Sequence, residues 1–114
     1  MEVAIGKLSQ IPAGEGRNFA VAGPDGELHV AVFHTRGGGV FVTQANCPHK
    51  GGPLADGLTD EISVVCPLHD RTYDLRTGAG IGTECSIQVY PAHAAADGTI
   101  LMATEPVGTE VTGA

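Results

Sequence analysis

Apolar and polar residues alternate in short runs along this chain, and the spacing that recurs is two. Leu28, Val30 and Val32 fall on one face of the segment from Glu27 to His34, which predicts a strand with one apolar face. Similar short segments run from Val3 to Lys7, Arg17 to Val21 and Val40 to Gln44, and are read as strands. Turn-forming residues separate them: Pro12-Ala13-Gly14, Gly23-Pro24-Asp25-Gly26 and Gly37-Gly38-Gly39. After residue 86 the pattern returns, with predicted strands from Ile87 to Tyr90, His93 to Ala96 and Thr99 to Met102. Asp97-Gly98 is expected to form the last hairpin turn. No internal repeat is visible. The expected architecture is all-β, an antiparallel meander.

Residues 45–83 break this pattern. Two short strands are expected there, Ile62 to Cys66 and Thr72 to Leu75, but Gly, Pro, Cys and His dominate the rest. The chain is therefore read as a single domain over residues 1–114. Its base is residues 1–44 and 84–104, its inserted subdomain residues 45–83, and a small, polar tail at 105–114 is expected to fray.

Composition narrows the class. Seventeen Gly and seven Pro fill about a fifth of 114 positions, against about 12% in ordinary proteins, so long helices are not expected. Aromatics are 4% and Trp is absent, so the core must be built from Val, Ile, Leu and Ala. The formal charge of −7 argues against nucleic acid and against anionic membranes, since both are bound chiefly through Lys and Arg. No apolar run approaches the roughly 18 residues of a membrane span. Three Cys, an odd number, and no leader-like start suggest a cytoplasmic protein with reduced thiols.

The insertion carries the candidate chemistry. Cys47-Pro48-His49 and Cys66-Pro67-Leu68-His69 are two Cys/His pairs separated by sixteen residues. Three cysteines cannot supply the four thiolates of a plant-type or cubane cluster. Two metal sites remain open: a mononuclear zinc site with two Cys and two His, which would staple an interaction domain, and a [2Fe-2S] cluster with two Cys on one iron and two His on the other. Cys85 is left without a partner at ligand spacing, as are His29, His34 and His93, and these are read as structural or surface residues. No Ser-His-Asp set, phosphate loop or nicotinamide fingerprint is present, so no catalytic residue is assigned.

The stretch Cys47-Pro48-His49-Lys50-Gly51-Gly52-Pro53-Leu54, then Cys66-Pro67-Leu68-His69 and Tyr73-Asp74, resembles the two cluster-binding loops of Rieske iron–sulfur proteins. The resemblance implies stacked antiparallel sheets with one [2Fe-2S] cluster at the tip of the insertion. It implies that Cys47 and Cys66 bind the inner iron, and His49 and His69 the outer one. High-potential members carry two further Cys joined in a disulfide and a Ser two residues after the second His. Gly52, Leu68 and Arg71 stand at those positions here, so the chain is similar to the disulfide-free, low-potential ferredoxin type. Tyr73 either donates to Cys47 Sγ or is a core aromatic. Asp70, where many relatives have Gly, either accepts a nearby hydrogen bond or is solvated. Lys50, Gly51 and Gly52 are expected beside the cluster, and Ile81 is expected to cover it. Gly78, Gly80 and Gly82 are either ordinary turn glycines or points where the backbone approaches the cluster.

With such a cluster the implied activity is one-electron transfer. Two ferric ions, two sulfides and two thiolates sum to zero, so one electron takes the site only to −1, which favours reduction relative to an all-Cys site. The run from Cys47 to Gly57 is similar to the small subunit of NAD(P)H-dependent nitrite reductase, which implies a reductase large subunit as partner. The alternative is a free ferredoxin working between a ferredoxin reductase and a ring-hydroxylating oxygenase.

Overall fold

The computed structural model describes residues 2–23, 26–46, 54–60, 62–66, 72–82 and 86–104. Among them are eleven strands: β1 (Glu2–Lys7), β2 (Glu15–Gly23), β3 (Gly26–His34), β4 (Val40–Gln44), β5 (Leu58–Thr59), β6 (Ser63–Val65), β7 (Thr72–Asp74), β8 (Gly80–Ile81), β9 (Val89–Tyr90), β10 (Ala92–Ala94) and β11 (Thr99–Ala103). Every pairing between them is antiparallel. The only helical pieces among the described residues are two three-residue 3-10 turns, Leu8–Gln10 and Leu54–Asp56.

The strands form three sheets, ordered β1-β11-β10, β2-β3-β4-β9 and β5-β6-β7-β8. The second sheet is the middle layer, and β3 shows why. Val30 and Val32 enter a core with Ile11, Val42, Tyr90, Ile100 and Met102. Ala31 and Phe33, on the opposite face, enter a core with Leu54, Val64, Tyr73, Leu75 and Val89. The strand with one apolar face predicted from Leu28, Val30 and Val32 is thus buried on both faces from Val30 to Phe33. A strand covered on both sides has no polar face to present, which is why Ala31 and Phe33 interrupt the alternation.

Chain connectivity makes β5–β8 an excursion from the middle sheet. β4 leaves it and β9 returns beside it, with Val42 opposite Tyr90 and Thr43 opposite Val89. Gln44 closes the neck. Its N–H donates to the Gln88 carbonyl (3.0 Å), its side-chain Oε1 accepts from the Gln88 N–H (2.7 Å), and its Nε2 donates to the Asn46 carbonyl (2.7 Å).

The strands differ from expectation mainly at their ends. β2 is longer than the segment from Arg17 to Val21, and β9 begins at Val89 because the Ile87 N–H is taken by the Gly78 carbonyl (2.8 Å). The last hairpin is the clearest correction. β10 ends at Ala94, and the turn spans four residues, Ala95–Gly98, with the Gly98 N–H donating to the Ala95 carbonyl (2.8 Å). Asp97 Oδ1 accepts from the Thr99 N–H (2.9 Å), a bond that favours this longer turn over the two-residue form. Gly98 holds φ +88°, as expected of a turn glycine.

Candidate metal centre

One of the two motif segments departs from the β5–β8 sheet, the other from the end of β4. β6 ends at Val65 and is followed by Cys66; β7 begins at Thr72, directly opposite Val65. Residues 67–71, which include His69, join these two strands. Residues 47–53, which include Cys47 and His49, leave from Ala45 and rejoin at Leu54, whose N–H donates to the Ala45 carbonyl (3.0 Å). The two motif segments are thus each held at both ends by hydrogen-bonded backbone.

Of the predicted site residues, Cys66, Tyr73 and Ile81 are described. Cys47, His49, Lys50, Gly51, Gly52, Leu68, His69 and Arg71 lie outside the described residues, as do Asp70 and Cys85. Three of the four predicted ligands are therefore not placed, and among the described residues no three His, Cys, Asp or Glu side chains converge.

Cys66 has no solvent exposure and sits among Leu54, Val64, Tyr73 and Leu75. Such surroundings disfavour a bare thiolate, and a bound metal ion is what would deprotonate a thiol there. Tyr73, likewise fully buried, packs in the same core. This dry, anchored cysteine fits the inner, thiolate side of a [2Fe-2S] site. Ile81, expected as cover, lies on β8 opposite Thr72 with its side chain 54% exposed.

Residues not singled out for support from the sequence hold this sheet in place. The Gly78 N–H donates to the Asp74 carbonyl (2.7 Å), and a Cβ at Gly78 would collide with the Ile87 carbonyl oxygen. Gly78 therefore serves close contact between backbones; only its place in the Gly-rich run at 77–82 marked it. Asp60, at the β5–β6 turn, accepts from the N–H groups of Ile62 and Ser63 and from Ser63 Oγ, and those bonds, Ile62 first, hold its pKa below the usual 3.8. Asp74 is held low chiefly by the Arg76 side chain, 2.9 Å away. A cleft of about 390 Å³ between β2 and β5 includes Arg17, Arg36 and Asp56 in its lining but not Cys66, Tyr73 or Ile81.

Comparison with known proteins identifies the family. The family model of the Rieske [2Fe-2S] domain matches residues 1–92. The chain belongs to the Rieske [2Fe-2S] family. The metal question left open by the ligand spacing is answered accordingly: a Rieske domain carries one [2Fe-2S] cluster, not a zinc ion. A Ralstonia relative, the ferredoxin component of naphthalene 1,2-dioxygenase/salicylate 5-hydroxylase systems, is 28% identical over 86 residues, 74% of this chain and 78% of its own. The ferredoxin of carbazole 1,9a-dioxygenase from Nocardioides aromaticivorans IC177 superposes with a TM-score of 0.77 at 27% identity, over 92% of this chain and 99% of its own. A protein described as an NADH-dependent nitrite reductase small subunit from Mycobacterium tuberculosis shares the fold, with a TM-score of 0.77 at 22% identity, over 90% of this chain and 93% of its own. The expected stacked antiparallel sheets are those of this Rieske domain. No helix among its described residues is long and apolar enough to cross a membrane.

Proposed function

We propose that this Rieske domain is a cytoplasmic one-electron carrier whose cluster is held by Cys47, Cys66, His49 and His69, the small subunit of a nitrite reductase-type oxidoreductase dependent on NAD(P)H. The observation that carries the reading is Cys66: solvent-free, directly after the end of β6 and directly before residues 67–71. When bound, the cluster accepts and returns one electron. The protein's own residues do the rest. Leu54, Tyr73 and Leu75 exclude water from the Cys66 side. The β5–β8 sheet and the Gln44–Gln88 neck hold the motif segments against the base, residues 45–83 serving as cluster-binding subdomain. Lys50, Gly51, Gly52, Leu68, Arg71, Tyr73 and Ile81 border the site.

The run from Cys47 to Gly57 and the fold shared with the M. tuberculosis protein support a reductase large subunit as partner. The Ralstonia and Nocardioides ferredoxins support a second reading, a free carrier between a ferredoxin reductase and a ring-hydroxylating oxygenase. Stopped-flow oxidation of the reduced protein, by a nitrite reductase large subunit and separately by an oxygenase, tests both. Turnover with the first and not the second is expected; the reverse would replace the first reading with the second. Iron analysis and a one-electron coulometric titration test the carrier itself. A colourless protein with one zinc per chain would overturn it.

A further inference from the structure

β2 is an outermost strand of the middle sheet, with β3 on one side only. In an antiparallel ladder each residue turns its N–H and C=O to one side, and the next residue turns them to the other. Parity along β3 therefore fixes which way β2 faces. The Thr35 N–H donates to the Gly39 carbonyl (2.9 Å), continuing the β3–β4 register, so odd residues of β3 bond β4 and even residues bond β2. Opposite those even residues stand Glu15, Arg17, Phe19, Val21 and Gly23. The residues between them turn their backbone groups away from the sheet. The Gly16 carbonyl accepts from Arg17 Nη1 (3.0 Å). The outward N–H and C=O groups of Asn18, Ala20 and Ala22 make no hydrogen bond among the described residues. Edge strands are ordinarily blunted by Pro, charge or a bulge. Residues 18–23, Asn-Phe-Ala-Val-Ala-Gly, have none of these. The side chains of Asn18, Ala20 and Ala22 are small and exposed, whereas Phe19 and Val21 are half-buried on the other face. An open cleft of about 350 Å³ lies along Ala20, Val21, Ala22 and Gly23.

We infer that β2 pairs antiparallel with β2 of a second copy of this chain, about a two-fold axis at Ala20. In that register Ala20 faces Ala20 of the second copy, and Asn18 faces Ala22 of the second copy. Each residue of the row then both donates and accepts. On the other face Phe19 comes opposite Val21 of the second copy, and two half-buried apolar side chains gain cover. The row is its own complement, as a two-fold contact requires, and this selects a second copy over a foreign strand. The two middle sheets become one continuous sheet. The inference goes beyond the electron-carrier reading and does not depend on it. Residues 17–23 span about 20 Å at ordinary strand rise, a single-strand contact narrower than the standard interface of about 1,600 Å², so the dimer is reversible. The net charge of −7 on each copy opposes association at long range, while residues 18–23 carry no ionised side chain. Screening the charge therefore strengthens the dimer rather than weakening it.

Sedimentation velocity of the holoprotein between about 10 μM and about 1 mM tests the pairing. The parent should pass from monomer to dimer within that range, and should do so at lower concentration in about 0.5 M NaCl than in about 0.05 M. Ala20→Lys and Ala20→Glu should each stay monomeric, because residue 20 meets its own copy and like charges then stand directly opposite. Mixed in equal amounts, the two variants should form a dimer again, with opposite charges across the axis. Ala96→Lys, in the last hairpin turn, should dimerise as the parent does. Circular dichroism matching the parent shows that each variant is folded, and the parent's concentration and salt dependence test the contact without any variant. A parent that stays monomeric to about 1 mM overturns the proposal. So does a dimer weakened by salt, a dimer that Ala20→Lys leaves intact, or a mixture of Ala20→Lys and Ala20→Glu that stays monomeric.

Discussion

Gly78 and Gly82 separate two demands that a glycine can meet. Both hold positive φ, +85° and +78°, but only Gly78 faces an obstacle, the Ile87 carbonyl oxygen; a Cβ at Gly82 meets open space. A left-handed conformation costs a non-glycine residue about 1–2 kcal/mol. Gly82→Ala is therefore expected to lose about 1 kcal/mol in urea unfolding, and Gly78→Ala about 3 kcal/mol or more, because backbone must also shift. Equal losses would mean that conformation alone governs both positions. The contrast also shows what was legible. The two Cys/His pairs could be proposed as ligands because each is local, Cys47 with His49 and Cys66 with His69, and of these four the fold describes Cys66 alone. The role of Gly78 could not, because its obstacle is a carbonyl nine positions away that only the fold brings near. At the same scale, Gly52, Leu68 and Arg71 replace the Cys, Cys and Ser of high-potential relatives, and the missing hydroxyl donor to sulfur destabilises the reduced state. The midpoint is expected in the lower part of the Rieske range, about −150 to 0 mV by potentiometric titration. A value above about +150 mV would rule out this tuning.

Strand length, together with flanking punctuation, bears on which elements the sequence revealed: β9 has only two residues, but Pro91 after it marked the segment from Ile87 to Tyr90. β3 and β4 have nine and five residues, enough for alternation to register. β5 and β8 have two each, too short for any period, and neither was predicted. Their pairing comes instead from the turns that place them. Between β5 and β6, one carboxylate oxygen of Asp60 takes three donors, at 3.0, 3.0 and 2.9 Å. Removing it leaves two backbone N–H groups to water, a loss comparable to a missing helix cap, about 1 kcal/mol. Asp60→Ala should lower the unfolding free energy measured in urea by that amount, while Asp60→Asn, which keeps a carbonyl oxygen acceptor, should lower it by less. No difference between Ala and Asn would place the effect elsewhere than in these bonds. The hairpin predicted at Asp97-Gly98 is present but lengthened by the same chemistry. The Asp97 side chain competes for backbone N–H groups, and its bond to Thr99 belongs to a turn two residues longer than the periodicity suggested.

At the scale of the whole molecule, the middle sheet couples an outer sheet that closes the chain ends to an inserted sheet that bears the motif segments. β1 pairs with β11, so the first described strand is tied to the last. Lys7 and Asp97 add a charge contact across that junction (3.4 Å), with Lys7 Nζ also donating to Thr99 Oγ1 (3.0 Å). Asp97 is pushed down to about 2 from the usual 3.8, mainly by the Thr99 N–H, then by the Thr99 side chain, with Lys7 adding a smaller part. Asp60 and Asp74 are lowered in the same direction. The sign follows from linkage. A carboxyl group that holds its proton less tightly when folded stabilises the fold while ionised, above about pH 4, and that stability is lost as pH falls toward 2, because the unfolded chain takes up the proton first. Urea unfolding of the parent and of Asp97→Asn at pH 6 and pH 3 isolates one such group, since the difference between the two proteins cancels whatever acid does to both. The parent should be the more stable at pH 6, and its advantage should shrink at pH 3. A parent advantage that stays constant across this interval would mean that Asp97 binds its proton equally in both states, and that the Thr99 and Lys7 contacts do not hold the junction between the two ends of the chain.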